Sequence, residues 1–533
     1  PPPQKKPLNA ERIKPGERNM KTDSVDRTYP DDSEKAINKA EQHLRRGRAS
    51  RRDRWYPLFH IASQSGWIND PNGLSYYHGR WHVYYQLNPY EPVWGPMYWG
   101  HVSSSDMVTW RRERVALAPG EGDDKDGVFS GSAVVDDNGN LCVYYTGQRW
   151  LDPNNSRAGQ TQVQMMARAL DSNAVHFEKL GRIIAPPQNQ RMDDFRDPKV
   201  WKQDGIWYMI HGVGTAQQKG QIWLYSSRDM ISWTFLKVIF EDKNPDVFMV
   251  ECPDLFPLKN AKGDTVWVLC LSEMRRDPQD PDAETNVVAG YMVGDFSPET
   301  GFQSKTSLRK WDHGHNFYAP QSFMAPDGRR IMYGWMKPDP SSMPTIEDGW
   351  NGQLTVPREV RLDSKGNVCT LPVSEMAELR ENELQAGSLL VQPESEITIC
   401  EDLQAGEIIM EIDLETSSFH QAGLKIHATA DGSYVLLTYN KETHQLVLDR
   451  SKGGNGDRSS RVVELDAEGN QLRLRVYVDR GSIEVFANQG QAVLSSYSFP
   501  NEGPRRLIMT SSGGNMVISQ CQVFTLSDNG LNG

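Results

Sequence analysis

The sequence predicts an all-β protein: a five-bladed β-propeller followed by a β-sandwich, with a short N-terminal helical extension. Three observations predict it. A turn followed by an aromatic-rich strand recurs as HGRWHVYYQ (78–86), NGNLCVYYTG (138–147), DGIWYMIHG (204–212), GDTVWVLCLS (263–272) and DGRRIMYGWM (327–336). Anchored on Trp81, Leu141, Trp207, Trp267 and Ile331, the steps are 60, 66, 60 and 64 residues. Next, SSSDMVTW (103–110) returns as SSRDMISW (226–233). Last, beyond about residue 390 the repeat stops and plain alternating strands follow. One four-stranded unit cannot bury both faces of its sheet, so repeated units of this kind stack around an axis.

Taken in order, residues 1–54 form an N-terminal extension whose first 30 or so residues are polar and Pro-containing. SEKAINKAEQHLRRGR (33–48) puts Ala36, Ile37, Ala40 and Leu44 on one helical face. Asp31, Asp32 and Glu34 suit the helix N-terminus and Arg45, Arg46 and Arg48 its C-terminus. The Arg run continuing to Arg54 reads as a solvated helix end or an anion site. Residues 55–362 form the propeller. Residues 363–390 read as a linker, with VSEMAELRENEL (373–384) helical or polar. Residues 391–533 form the sandwich, in which Asp479-Arg480-Gly481 reads as a hairpin turn.

Composition narrows the function. The chain has 533 residues and a net charge of −12, which argues against nucleic acid as a partner. The 15 Trp and 19 Tyr suit sugar faces, having an apolar body and a polar edge, although packing in the core explains any single one as well. Cysteines at 142, 252, 270, 369, 400 and 521 show no C-x-x-C spacing, so no zinc site is expected. They fit a reducing, cytoplasmic setting, with bridges left open by the even count. No apolar run approaches the ~18 residues of a membrane span, and PPPQKKP shows no signal-peptide pattern.

The chemistry is carried by a short segment ahead of each aromatic strand: WINDPNGL, VFSGSAVV, FRDPKVW, VECPDLF and FYAPQSF. If each opens its blade, each lines the central channel. Three then carry an acid at a similar place: Asp70, Asp197 and Glu251. GWINDPNG alone reads as easily as a surface turn; three acids in register do not. Asp70, Asp197 and Cys252 each precede proline, which predicts extended backbone, and proline's missing donor predicts a sheet edge. Two carboxylates across a funnel are what glycosidic cleavage needs, with retention at a gap of ~5–5.5 Å and inversion at ~6.5–9.5 Å. Glu251 follows the apolar DVFMV, which predicts a desolvated, protonated acid. Asn69 and Asn72 flank Asp70, and their amides would keep it ionised. Arg196 precedes Asp197, but strand neighbours face opposite sides, so the two need not touch.

At these residues the chain resembles glycoside hydrolase family 32, the invertases and fructanases. WINDPNG, FRDP and ECPD are similar to its three acid motifs in order and spacing. YYQLNP, WGPMYWGH, FSGSA and FYAPQSF match further segments, and VDRGSIEVFAN resembles a marker of its C-terminal sandwich. The N-terminal helix and DKDGVFSGSAVVDDNG look most like its bacterial intracellular β-fructofuranosidases. The resemblance spans about residues 55–525. It implies Asp70 as nucleophile, Glu251 as acid/base and Asp197 as transition-state stabiliser. It implies fructose contacts from Asn69, Gln86, Trp94, Phe129, Ser130 and Arg196, with Trp67 and Trp335 as further candidates, and no metal or organic cofactor. His313 and His315 are candidates for the leaving-group side.

The expected substrate is a small sugar, sucrose or a short fructan, with no nucleic-acid or membrane partner. Homo-oligomerisation through the helix or the sandwich stays open. So do two other activities. A fructosyltransferase would use the same carboxylates with a sugar hydroxyl in place of water, and an inverting arabinanase-like propeller would lack the NDPNG segment. A non-catalytic sugar-binding protein would be expected to have lost one of the three acids.

Overall fold

The computed structural model describes residues 33–155, 158–187, 192–277, 280–339, 343–465 and 469–532. The polar N-terminal tail, with Asp31 and Asp32, lies outside them. The helix forms over Ser33–Ser50 and buries Ile37, Ala40 and Leu44. Its polar side is tied to the propeller: Arg114 donates to Glu34 at 2.8 and 3.1 Å, and the Val115 N–H donates to Glu41 at 2.7 Å. The Arg run is spent on carboxylates, since Arg51 pairs with Asp53 and both Arg52 and Arg54 pair with Asp348.

Five antiparallel sheets follow. Blade 1 is Gly66–Tyr77, Arg80–Asn88, Tyr98–Ser104 and Trp110–Arg112. Blade 2 is Gly127–Val135, Leu141–Trp150, Gln160–Ala169 and Phe177–Ile184. Blade 3 is Met192–Gln203, Ile206–Thr215, Gly220–Ser227 and Thr234–Glu241. Blade 4 is Val247–Lys259, Thr265–Asp277, Asp280–Ser297 and Gly301–Ser304. Blade 5 is Tyr318–Met324, Arg330–Met336, Arg358–Leu362 and Val368–Pro372. The first strands neighbour one another around the ring, as the sequence predicts. The ring is closed by Trp350–Asn351, which runs parallel to Gly66–Trp67.

The repeated octet proves to be a corner between third and fourth strands. In blade 1 the Ser104 hydroxyl accepts from the Met107 N–H, and Asp106 accepts from Val108 and Thr109. In blade 3, Ser227 and Asp229 do the same for Met230, Ile231 and Ser232. Both methionines take left-handed backbone, φ 69° and 66°, and the closing Trp110 and Trp233 are buried.

The sandwich holds two six-stranded sheets. The stretch 363–390, expected as a linker, is mostly strand. Val368–Pro372 completes blade 5, Ser374–Leu379 is a 3₁₀ turn, and Arg380–Val391 pairs with Met516–Leu526. Helix-favouring residues there yield to an open sheet edge that needs a partner.

The VDRGSIEVFAN hairpin is the joint between the two units. Gln471–Asp479 and Ser482–Ala487 pair across Arg480-Gly481. Asp479 accepts the N–H groups of Leu58, Phe59 and His60. His60 lies between Asp479 and Glu484, at 2.8 Å from each. Glu484 and Asp312 also receive the fully buried Arg358. Burial alone would push the His60 imidazole down, but the bonds to Asp479 and Glu484 outweigh it and hold it up at about 9. The same contacts hold Asp479 and Glu484 below the usual carboxylate range against burial.

A raised folded-state pKa means stability that is complete below the unfolded value of ~6.5 and lost as pH climbs through about 9. The melting temperature should therefore fall between pH 7 and 10. In His60→Gln it should start lower and lose this alkaline dependence. An alkaline decline unchanged in that variant would show that the joint is not the source.

Candidate active site

The five first strands share one irregularity. Their pairing with the second strand slips between Ile68 and Pro71, between Phe129 and Gly131, between Glu251 and Asp254 and between Tyr318 and Gln321, and opposite Ile210–Gly212 in blade 3. Each slip is a β-bulge, and a bulge turns side chains out of the sheet's alternation. The bulges lie level around the axis and carry Asp70, Ser130, Asp197, Glu251 and Tyr318 or their immediate neighbours. Blade 2 needs glycine here: a Cβ on Gly131 would sit 1.8 Å from the Tyr144 carbonyl oxygen.

The bulges overturn one expectation. Asp197 and Cys252, expected to be extended before proline, have φ of 67° and 47°, as does the pre-proline Ala319 at 48°. Asp70 alone of the three keeps negative φ. Left-handed non-glycine backbone costs about 1–3 kcal/mol and persists only where surroundings over-determine it. Here the Asp197 N–H donates to Thr146 Oγ1 at 3.0 Å, and the Cys252 N–H donates to Asp197 Oδ2 at 2.9 Å.

The three acids meet in one cavity. The Cys252 thiol lies 3.4 Å from Asp70 Oδ2 and 3.6 Å from Asp197 Oδ2. Ser130 donates to Asp70 Oδ2 at 2.6 Å and Asn69 Nδ2 to Asp70 Oδ1 at 3.2 Å. The Asn69 amide cannot turn over, because the Trp67 indole N–H donates to its oxygen at 2.9 Å. Glu251 Oε1 receives Arg196 at 2.8 and 3.1 Å, and Oε2 receives the Tyr318 hydroxyl at 2.6 Å. Arg196 itself is held by Asp194 and Gln162. It turns away from a hydrogen bond with Asp197, as alternation allows.

Three expected surroundings differ. Asn72 does not donate to Asp70; its oxygen takes the Gly131 N–H at 3.2 Å. The apolar run before Glu251 does not enclose the carboxyl, which meets a guanidinium and a phenol. His315 faces the sandwich instead of a leaving group, bonding Ser496 at 2.6 Å and the Ser459 carbonyl at 3.1 Å, and the His313 N–H donates to Val493 O at 2.7 Å.

Aromatic walls complete the cavity. Trp67 stands edge-on to Trp335 at 5.5 Å, and Tyr318 to Trp335 at 6.5 Å. Trp94 is 50% exposed and packs edge-on to Phe129 at 6.1 Å. Gln86 is buried and donates to Val128 O at 3.0 Å. Nothing in the sequence assigns a site role to Tyr318, Asp194, Gln162 or Thr146, and Cys252 stands out there only as a residue before proline. Only Tyr318 and Cys252 lie within quoted channel segments, and a level bulge was the signal that marked them.

Crowding shows in the titration. Burial, then the neighbouring Glu251 charge, pushes Asp70 above the usual carboxylate range against its three hydrogen bonds. Burial pushes Asp197 up to about 7; Arg196 opposes this and the charges of Glu251 and Asp70 add to it. No cluster of metal-ligating side chains occurs among the described residues.

A buried carboxyl from blade 3 and half-buried ones from blades 1 and 4, walled by indoles at a propeller's axis, define a sugar-cleaving enzyme of the propeller-and-sandwich type. Residues 60–372 match the glycosyl hydrolases family 32 N-terminal domain and residues 375–525 the family 32 C-terminal domain. The chain belongs to glycoside hydrolase family 32 and is a glycoside hydrolase acting on fructosides. It is 37% identical to the sucrose-6-phosphate hydrolase of Escherichia coli over 487 residues, 91% of this chain and 97% of that one. It is 36% identical to the raffinose invertase of Escherichia coli, over 92% and 99% of the two chains. The Bombyx mori family 32 β-fructofuranosidase, solved as a mutant in complex with sucrose, superposes with a TM-score of 0.79 at 29% identity, covering 93% and 99%.

Proposed function

We propose that this chain is a β-fructofuranosidase that releases terminal β-fructofuranosyl units from sucrose and short fructo-oligosaccharides by retaining double displacement. Asp70 attacks the anomeric C2 while Glu251 protonates the departing oxygen. A fructosyl ester on Asp70 results. Glu251, now a base, takes a proton from water, and the hydroxyl displaces the ester to give β-fructose. Asp197 grips fructose hydroxyls in the transition state.

One observation carries this reading: a single thiol, Cys252, lies within reach of both Asp70 and Asp197, on the residue next to Glu251. That spacing suits one furanose ring. Arg196 on Glu251 Oε1 offsets the negative charge that appears when the proton leaves. Asn69, Gln86 and Ser130 supply further polar contacts, and Trp67, Trp94 and Phe129 the walls.

The named relatives are hydrolases, which favours water over a sugar hydroxyl as acceptor. The six cysteines are free, and no helix among the described residues is long and apolar enough to cross a membrane. We place the enzyme in the cytoplasm on the cysteine pattern. Fructose release from sucrose, 1-kestose and inulin, measured side by side, tests the assignment. Sucrose and kestose should turn over at least as fast as inulin at equal concentration of chain ends, because a one-ring pocket gains nothing from a long chain. Preferred inulin, or fructose transfer exceeding hydrolysis, would overturn it.

A further inference from the structure

We infer that Lys199 and Gln321 are positioning residues for the reaction: together they lock the Cys252 peptide, and through it the relative placement of Asp197 and Glu251. One readout of the test rests on Glu251 as proton donor.

Lys199 lies two residues beyond Asp197, with its side chain 12% exposed. An ammonium has three N–H donors and no acceptor. All three find oxygen: Asp254 Oδ2 at 3.2 Å, Gln321 Oε1 at 3.4 Å and the Ser322 carbonyl. Asp254 is anchored in turn by the Ser322 N–H at 2.9 Å and hydroxyl at 2.5 Å. With its oxygen facing an ammonium, the Gln321 amide has one orientation. Its NH₂ then points at the Cys252 carbonyl, 2.9 Å away.

Cys252 is thus clamped on both sides. Its N–H is on Asp197 and its C=O on Gln321, across a left-handed φ of 47°. Glu251 is the preceding residue, and its carbonyl belongs to the peptide that carries that N–H. Relaxing Cys252 toward ordinary strand geometry would pull the N–H off Asp197. It would also swing Glu251 away from Tyr318 and Arg196. Lys199 and Gln321 come from blades 3 and 5, so the clamp on blade 4 is set from both flanking blades. Neither residue touches the carboxyls that do the chemistry.

The test uses Gln321→Met and Lys199→Met, with Gln321→Glu as a second variant that keeps size and polarity but loses the donor. Each is assayed on sucrose and on an aryl β-fructofuranoside with an acidic phenol as leaving group. For sucrose, kcat should fall about 10- to 100-fold with KM within about twofold, since a small misplacement of catalytic groups costs that much. On the aryl substrate the fructosylation step, read as the burst of phenol and needing little protonation, should lose less than about threefold. The Gln321→Met variant should melt within about 3 °C of the parent, whereas Lys199→Met, which strands the buried Asp254 carboxylate, should melt lower. Unchanged kcat on sucrose, or equal losses on both substrates, overturns the inference. Glu251→Gln is the control. If its phenol burst on the aryl substrate is slowed as much as its turnover of sucrose, the donor role falls, and the clamp is judged on kcat against KM alone.

Discussion

Asp70→Asn is expected to lower sucrose turnover by at least about 10⁴-fold, the scale seen when a covalent nucleophile is removed, while sucrose still binds. The substitution is isosteric. The new amide oxygen still accepts from Ser130, which donates to Asp70 Oδ2 at 2.6 Å, and of the two side-chain bonds from Ser130 and Asn69 only the one from Asn69 is given up. What disappears is the ability to form an ester at C2, because an uncharged amide is a poor nucleophile toward a developing oxocarbenium ion. The substitution also removes one of the charges that raise Asp197, so Asp197 should ionise at lower pH and hold fructose hydroxyls at least as well. Sucrose titrated calorimetrically into the variant should give an affinity within about tenfold of the parent KM, and a single-turnover experiment should release no fructose. Residual activity above about 1% of the parent would remove Asp70 from the nucleophile's role. Loss of binding in a folded variant would instead make it a binding residue.

What the sequence discloses and what it hides divide along one physical line. Periodic and local signals are legible. The five aromatic second strands stand out because buried central strands demand apolar residues. The level of Asp70, Asp197 and Glu251 follows from counting back from those strands. In the sandwich, LRLRVYVD alternates and reads as a strand, whereas AVLSSY (492–497) is buried throughout and shows no period to read. Arg380–Val391 carries Glu, Leu, Gln and Ala, which favour helix, and its pairing with Met516–Leu526 is more than a hundred residues distant. The site's geometry is hidden for the same reason. Proline after Asp197 and Cys252 argues locally for extended backbone, but the bulges needed to aim side chains at the axis override it. Strand alternation says only that Arg196 need not touch Asp197; what it meets, Glu251, lies on another blade. Tyr318 is one aromatic in an aromatic-rich stretch until the fold sets its hydroxyl against Glu251.

The bulge ring also explains why the two carboxyls proposed for displacement differ in company. Asp70 is reached by a hydroxyl, an amide and a thiol, all neutral. Glu251 is reached by a guanidinium and a phenol. The neutral donors leave Asp70 free to lose its charge into a covalent bond without stranding a cation. In the proposed mechanism Arg196 serves a group that alternates between acid and base, since it favours the moment when Glu251 has given its proton away.

That asymmetry makes the effect of Glu251→Gln depend on the leaving group. On sucrose, where an alkoxide of glucose cannot depart unprotonated, kcat should fall about 10²- to 10⁴-fold, the range for a lost general acid. On an aryl β-fructofuranoside with an acidic phenol, fructosylation needs little proton donation. The first step should then survive, while deglycosylation, which needs Glu251 as base, slows. Rapid mixing should show a burst of phenol equal to the enzyme concentration followed by a slow steady state. Azide, a nucleophile that needs no general base, should raise that steady state and yield fructosyl azide. With its oxygen at the Oε1 position the amide still accepts from Arg196, and its NH₂ donates to the Tyr318 oxygen at the Oε2 position, so structural loss does not account for such a pattern. Equal losses on both substrates, with neither burst nor azide rescue, would move Glu251 out of proton transfer and leave it as a positioner of Arg196.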